Sequence, residues 1–166
     1  MARSASATGT TPSPERQLAT FLARYTPEIV AETEAVLAKM RARLPGAVEM
    51  VYDNYNGLVV GFGAEEKPRD AVFSIIVLPD HVTLCFIWGA GLFDPDKLLR
   101  GSGKQVRHIR LGGPESLDAA PVQALMTEAI ARSARPFDGT QPNRMVIRAI
   151  APIQRPRRPA PPKKGR

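Results

Sequence analysis

The sequence predicts an α+β domain, because helical and strand patterns occupy separate parts of the chain. Apolar residues recur at helical spacing over residues 14–44 and again over 117–132. Between them lie short runs rich in β-branched and aromatic residues, separated by glycine, proline and asparagine. We therefore expect an antiparallel sheet of about five strands, covered on one face by two N-terminal helices and one C-terminal helix.

The N-terminal helices are predicted from their capping signals. Ser13-Pro14 and Thr26-Pro27 each place a capping side chain before a proline at the first helical position. Pro45 stops the second pattern. These signals predict one helix that starts at residue 14 and a second that runs from residue 27 to residue 44.

Five strands are predicted, over residues 47–53, 58–62, 71–78, 82–88 and 104–111. The Asn56-Gly57 pair is a strong hairpin signal between the first two strands. Before the last strand, Asp94 followed by proline predicts a helix of about two turns. Successive side chains of a strand point to opposite faces, so His108 lies on one face of the last strand and Arg107 on the other.

The chain divides into three predicted parts. Residues 1–12 are small and polar, which indicates a disordered N-terminal arm. Residues 13–134 form the α+β domain. Residues 135–166 form a basic tail rich in proline and arginine, which is expected to be mostly disordered and extended. Residues 145–150 are β-prone, and the sequence leaves open whether they join the sheet.

The basic charge of the chain belongs to this tail. The net charge is +7, and eight of the 23 basic residues lie between Arg144 and Arg166, where there is no acidic residue. The preceding 143 residues are therefore close to neutral. An argument for nucleic-acid binding must rest on the tail.

The composition favours a cytoplasmic location. The single cysteine, Cys85, lies in an apolar strand pattern, which is typical of a buried thiol in a reducing compartment. No apolar run approaches the roughly 20 residues that a membrane-spanning helix needs. The N-terminus also lacks the apolar core of a secretory signal. We expect no association with a membrane.

The central strands carry a resemblance to a known family. Two hydrophobic strands over residues 72–78 and 82–88 are followed by DPDKLLRGSGKQVRHIRL and then by an amphipathic helix. This order resembles the YdhG-like family of small bacterial domains of unknown function, which is grouped with the frataxin-like proteins (CyaY, YjbR). The resemblance covers residues 26–133. It implies an α+β fold of the kind expected above.

The resemblance also implies a metal site. Frataxin-like proteins handle iron with an acidic ridge near the first helix and strand, and Glu28 and Glu32 lie one turn apart on the corresponding helix. Iron favours carboxylate oxygens. Alternatively, these carboxylates only complement the helix dipole. No other cofactor is expected.

Two further groups of residues are candidates for ligand binding. Tyr52, Asp53, Asn54 and Tyr55 form the densest polar and aromatic cluster in the chain, and they either cap a sheet edge or line a small-ligand site. Lys104, Arg107 and His108 form a basic group that could bind an anion, although they divide between the two faces of their strand.

The first functional hypothesis is therefore a small cytoplasmic binding domain for iron or another small ligand. The alternative is a nucleic-acid-associated protein that binds non-specifically through cationic side chains of the tail. An enzyme ranks last, because no catalytic motif is visible. The second face of the sheet also reads as apolar, which predicts either a homodimer through that face or a ligand groove on it. The cationic tail candidates are Arg155, Arg157, Arg158, Lys163, Lys164 and Arg166.

Overall fold

The structure is a computed structural model that describes residues 9–165. Two helices come first and are followed by five strands, a third helix and a last strand. The helices are α1 (Pro14–Leu22), α2 (Pro27–Arg43) and α3 (Ala120–Ala131). The strands are β1 (Val48–Asp53), β2 (Leu58–Gly63), β3 (Ala71–Val77), β4 (Val82–Phe86), β5 (Arg107–Arg110) and β6 (Arg144–Ile150).

The six strands form one mixed sheet in the order β5-β4-β3-β2-β1-β6. Strands β1 to β5 are antiparallel neighbours, whereas β6 lies parallel to β1. The predicted α+β class and its three helices are confirmed. The expectation of about five antiparallel strands is corrected, because the segment that the sequence left open adds a sixth, parallel strand at the edge.

Both N-terminal helices begin as their capping signals predict. The Ser13 hydroxyl accepts a hydrogen bond from the Arg16 backbone N–H at 3.3 Å. The Thr26 hydroxyl accepts one from the Ile29 N–H at 3.4 Å. Each cap satisfies a donor that the first helical turn leaves without a partner, and each cap precedes a proline.

The main core lies between the helices and one face of the sheet. Alternate residues of β1 to β4 point at the helices because side chains alternate along a strand. Phe73 and Phe86 meet there edge to face, with ring centroids 5.5 Å apart. The opposite face, which none of the helices in residues 9–165 covers, carries a smaller cluster around Val48, Met50 and Ala71.

The segment between β4 and β5 differs from its prediction. Instead of a helix after Asp94, the chain makes a turn in which the Asp94 carboxylate accepts hydrogen bonds from Leu98 and Leu99, both at 2.9 Å. Arg100 then exchanges two backbone hydrogen bonds with His108, at 2.8 and 2.9 Å. Pairing with the sheet edge thus replaces the short helix.

The basic segment does not behave as a free tail up to residue 158. Residues 151–158, here called the C-terminal strap, follow β6 and lie against the end of β1. The Ala151 N–H donates to the Asp53 carbonyl at 2.8 Å, and the Arg155 N–H donates to the Tyr55 carbonyl at 2.9 Å. The expected domain boundary at residue 134 is therefore corrected, since both β6 and the strap belong to the folded unit.

The predicted N-terminal arm falls largely outside the described residues, which begin at residue 9. Residues 9–12 are exposed and belong to no helix or strand. Beyond the strap, residues 159–165 are exposed as well.

Candidate functional site

A cleft of about 410 Å³ opens between α1, α2 and the start of β6. Its walls are apolar side chains from three elements: Leu18 and Leu22 of α1, Leu37 of α2 and Met145 of β6. The same side chains close the core between the helices and the sheet. The cleft is therefore a gap in helix packing over the core, and core side chains form its floor.

Asn143 fixes the strand that forms one side of the cleft. Its side-chain oxygen accepts a hydrogen bond from the Gly46 N–H at 2.6 Å, and its amide nitrogen lies 3.5 Å from the Arg41 carbonyl. Gly46 has a φ of 81°, a backbone angle that favours glycine. This junction holds the start of β6 beside the end of α2.

An ion pair lies at the floor of the cleft. Glu49 sits on the helix-facing side of β1 and is only 3% exposed. The Arg41 Nε donates to both Glu49 carboxylate oxygens, at 2.9 and 3.1 Å, and its Nη2 donates to Oε1 at 2.8 Å. These hydrogen bonds to the Glu49 carboxylate raise the pKa of Arg41 against the opposing effect of burial. Such a two-pronged pair is rigid and specific in direction.

The charges around the cleft do not balance. Glu15 and Glu34 are exposed at its mouth, and Glu49 lies at its floor. Arg41 neutralises Glu49, while Arg144 shares the Glu66 carboxylate with Arg148, at 3.1 and 3.2 Å. The lining thus has three carboxylates and two guanidiniums, and the resulting negative charge at the mouth favours a positively charged group.

The predicted cluster at residues 52–55 does not converge on one ligand site. Asp53 faces the helices, is 1% exposed, and binds Arg157 at 2.9 Å and Arg24 at 2.5 Å. Tyr52 points to the opposite face, where its hydroxyl is buried with no hydrogen-bond partner among residues 9–165. Tyr55 is exposed and packs under the Arg155 guanidinium, 5.5 Å from the ring centroid.

The strap explains why this cluster is polar. Arg157 donates to the carbonyls of Asn54 and Tyr55 at 2.5 and 3.2 Å, and its guanidinium lies 6.0 Å from the Tyr25 ring centroid. Asp53 and the two carbonyls thus form a socket for one arginine. Of the two interpretations that the sequence allowed, this geometry favours the structural one.

Three of the six tail candidates, Arg155, Arg157 and Arg158, have contacts within the fold. Arg157 is 4% exposed, so its assignment as a nucleic-acid contact is corrected. The Arg158 Nε donates to the Arg24 carbonyl at 3.2 Å. Lys163 and Lys164 are exposed, and Arg166 lies outside the described residues.

The basic group on β5 is divided, as the strand period predicts. His108 lies opposite Cys85 on the uncovered face of the sheet. Arg107 points the other way and donates to the carbonyls of Gly103 and Val106 at 2.6 and 2.8 Å. Lys104 is exposed in the preceding loop. Burial raises the pKa of the Cys85 thiol, although a hydrogen bond with Ser74 opposes it.

The acidic residues proposed for iron do not assemble a metal site. Glu28 is exposed, while Glu32 is half-buried with one carboxylate oxygen lacking a partner in the described chain. Burial, reinforced by Glu115, raises the pKa of Glu32. Among residues 9–165, no three His, Cys, Asp or Glu side chains are grouped so as to hold a metal ion.

The sequence reasoning missed Arg41, Glu49 and the buried role of Arg157. Glu49 could have been noticed, since the period of two puts it on the same strand face as the apolar Ala47 and Val51. A lone acid on a buried face indicates a buried partner. Nothing local could have identified that partner.

In the described part of the chain, none of the helices has the length and apolar character needed to cross a membrane. No family model, curated protein or solved structure matches the chain.

Proposed function

We propose that this chain is a small-ligand-binding domain whose site is the cleft between α1, α2 and β6. The observation that carries the proposal is the Arg41–Glu49 ion pair, with a buried carboxylate and a half-buried guanidinium, at the floor of an apolar-walled cavity of about 410 Å³. Small-molecule sites typically occupy roughly 300–1,000 Å³ and combine apolar walls with a few fixed polar groups.

The ion pair supports a binding role because its Glu49 carboxylate is almost fully buried, and a buried charge is costly unless it is paired. Groups with shifted pKa values are frequent at functional sites, and the pKa of Arg41 is raised here. Here the Glu49 carboxylate fixes the orientation of the Arg41 guanidinium, so the cleft has a polar group in a defined position.

The ligand that fits this cleft is an amphipathic molecule with a positively charged head. Leu18, Leu22 and Leu37 offer an apolar wall for a hydrocarbon or ring portion. Glu15 and Glu34 at the mouth attract an ammonium group. An anionic head would meet these same two carboxylates and be repelled.

Calorimetric titration with two ligands of equal chain length tests the sign of the head group. We expect octylamine to bind and octanoate to bind at least tenfold more weakly. Glu34→Gln should weaken octylamine binding about two- to fivefold, as expected for one exposed charge. Glu28→Gln is the matched control, because Glu28 lies on the same helix but does not line the cleft.

A second pair of variants tests the location. Ala19 is exposed on α1 and lines the cleft, so Ala19→Phe should fill it and reduce octylamine binding by more than tenfold. Ala31→Phe adds the same ring to an exposed position of α2 away from the cleft. Equal affinities in these two variants would place the binding elsewhere, and equal affinities for amine and carboxylate would refute the charge argument.

The family resemblance and the homodimer are also kept as proposals. The order of helices and strands agrees with an α+β domain of the YdhG-like type. Self-association through the uncovered sheet face is checked by sedimentation velocity over a range of protein concentrations. A monomer at all concentrations would argue against it.

A further inference from the structure

We propose that the chain has a second binding site, at its only tryptophan, for a phosphate-bearing aromatic ligand of the nucleoside phosphate class. The site is a pocket of about 250 Å³ between the start of β3, the turn after β4 and the end of α3, here called the Trp88 pocket. It shares no lining residue with the cleft.

Trp88 provides a surface for stacking. It follows β4 and is 58% exposed, whereas half of the ten aromatic side chains of this chain are buried. Val72 and Ala129 line the same pocket with small apolar groups. An exposed indole beside a narrow apolar recess suits a planar ring, because an aromatic ligand gains both stacking and burial there.

Three arginines, Arg69, Arg132 and Arg135, line the same pocket as the indole. Arg132 is held by Glu128 at 2.6 Å and by the Gly91 carbonyl at 3.0 Å. Arg135 lies 3.2 Å from Glu65. Arg69, in the turn before β3, makes no side-chain hydrogen bond or ion pair with any residue that the structure describes. Its guanidinium is therefore the group available to a phosphate, for which its planar fork is well shaped.

The indole of Trp88, the guanidinium of Arg69 and the carboxylate of Asp70 together indicate which ligand class fits the pocket. A neutral aromatic ring would leave Arg69 unused, and inorganic phosphate would leave the indole exposed. Asp70 adds a carboxylate that can accept hydrogen bonds from ribose hydroxyls or from an amino group of a base. A nucleoside monophosphate unit uses all three groups. The unit could be a free nucleotide or part of a single strand, and the experiment separates these sources.

The tryptophan makes the test direct. Because Trp88 is the only tryptophan, its fluorescence reports on this pocket alone. Adenosine 5′-monophosphate should quench the emission saturably, adenosine should bind about tenfold more weakly, and inorganic phosphate should compete without quenching. A hexathymidylate that binds more tightly than thymidine monophosphate, with a steep salt dependence, would identify a strand as the source.

Variants assign the binding groups. Arg69→Ala should weaken nucleotide binding about tenfold, whereas Arg16→Ala removes an exposed arginine of α1 and should leave it unchanged. Trp88→Ala, followed by calorimetry, should weaken binding at least fivefold. Ala19→Phe should leave the quenching intact, because it blocks only the cleft.

Either source of the nucleotide supports the proposal. It is overturned if no nucleotide or oligonucleotide quenches the emission at millimolar concentration. It is equally overturned if Arg69→Ala and Arg16→Ala bind with the same affinity. Failure of this test would leave the octylamine experiment at the cleft unaffected.

Discussion

Arg157 anchors the C-terminal strap, and Arg157→Ala should destabilise the whole domain. The side chains of Arg157 and Asp53 are each only 2% exposed, and they are 2.9 Å apart. Removing one partner of a buried pair costs about 3–5 kcal/mol, because the other charge is left in the interior. Arg24 still binds Asp53 but is 41% exposed, so it offsets only part of this loss.

The expected loss is therefore about 2–4 kcal/mol in the free energy of unfolding. For a chain of this size, that loss corresponds to a decrease in Tm of roughly 4–16 °C. Urea denaturation followed by circular dichroism measures it. Hydrogen exchange adds a local readout, because the amides of Ala151 and Arg155 should lose protection once the strap is released.

Two variants serve as controls. Arg158→Ala removes an exposed neighbour and should change stability by less than about 0.5 kcal/mol. Arg157→Lys keeps the charge but loses the fork that reaches the carboxylate and two carbonyls together, so it should be intermediate. A loss below about 1 kcal/mol in Arg157→Ala, with unchanged exchange at the strap, would refute the anchoring argument.

Three further predictions concern buried polar groups. Tyr25→Phe should lower the free energy of unfolding, measured by urea denaturation, by about 1–3 kcal/mol, because the buried hydroxyl accepts one backbone hydrogen bond and donates another. An unchanged free energy of unfolding would contradict this. Glu32→Gln should stabilise the domain by up to about 1 kcal/mol at neutral pH. The stability advantage of Glu32→Gln should fade as the pH falls through the raised folded pKa of Glu32, because protonation then removes the same half-buried charge from the parent chain. An advantage that is independent of pH would exclude this cause. The Cys85 thiol should react with iodoacetamide far more slowly in the folded chain than in urea, because burial raises its pKa and blocks access; equal rates would show that the uncovered face is open.

The sequence was most informative where local chemistry determines structure. Capping at Ser13 and Thr26, each followed by proline, correctly located both N-terminal helices. The period of two also correctly assigned Arg107 and His108 to opposite faces of β5. These features depend on neighbours within a few residues, so a single sequence contains the necessary information.

Contacts between residues far apart in the chain could not be predicted from the sequence. Residues 144–150 are β-prone, but only a partner about 100 residues earlier in the chain makes them a parallel strand beside β1. The proline-rich stretch after them is typical of a disordered tail. The buried Arg157 side chain, together with the backbone hydrogen bonds of Ala151 and Arg155, holds the strap against the fold. Composition cannot show that Asp53 and two carbonyls form a socket for that side chain.

The cleft could not be predicted for the same reason. Glu49 is visible as an acid on a buried strand face, but its partner Arg41 comes from the end of α2. The mouth of the cleft brings together Glu15 and Glu34 from two helices. The sequence instead drew attention to Glu28 and Glu32, because helical spacing relates residues within a single helix only.

The location of bound ligand is the most direct test of the proposed function. Amide chemical shifts should be recorded by nuclear magnetic resonance while octylamine is titrated into the full chain. We expect saturable shifts confined to α1, the second half of α2, β1 near Glu49 and the start of β6. Shifts that cluster instead on the uncovered sheet face or around Trp88, or the absence of any saturable shift, would contradict the assignment of the cleft as the binding site.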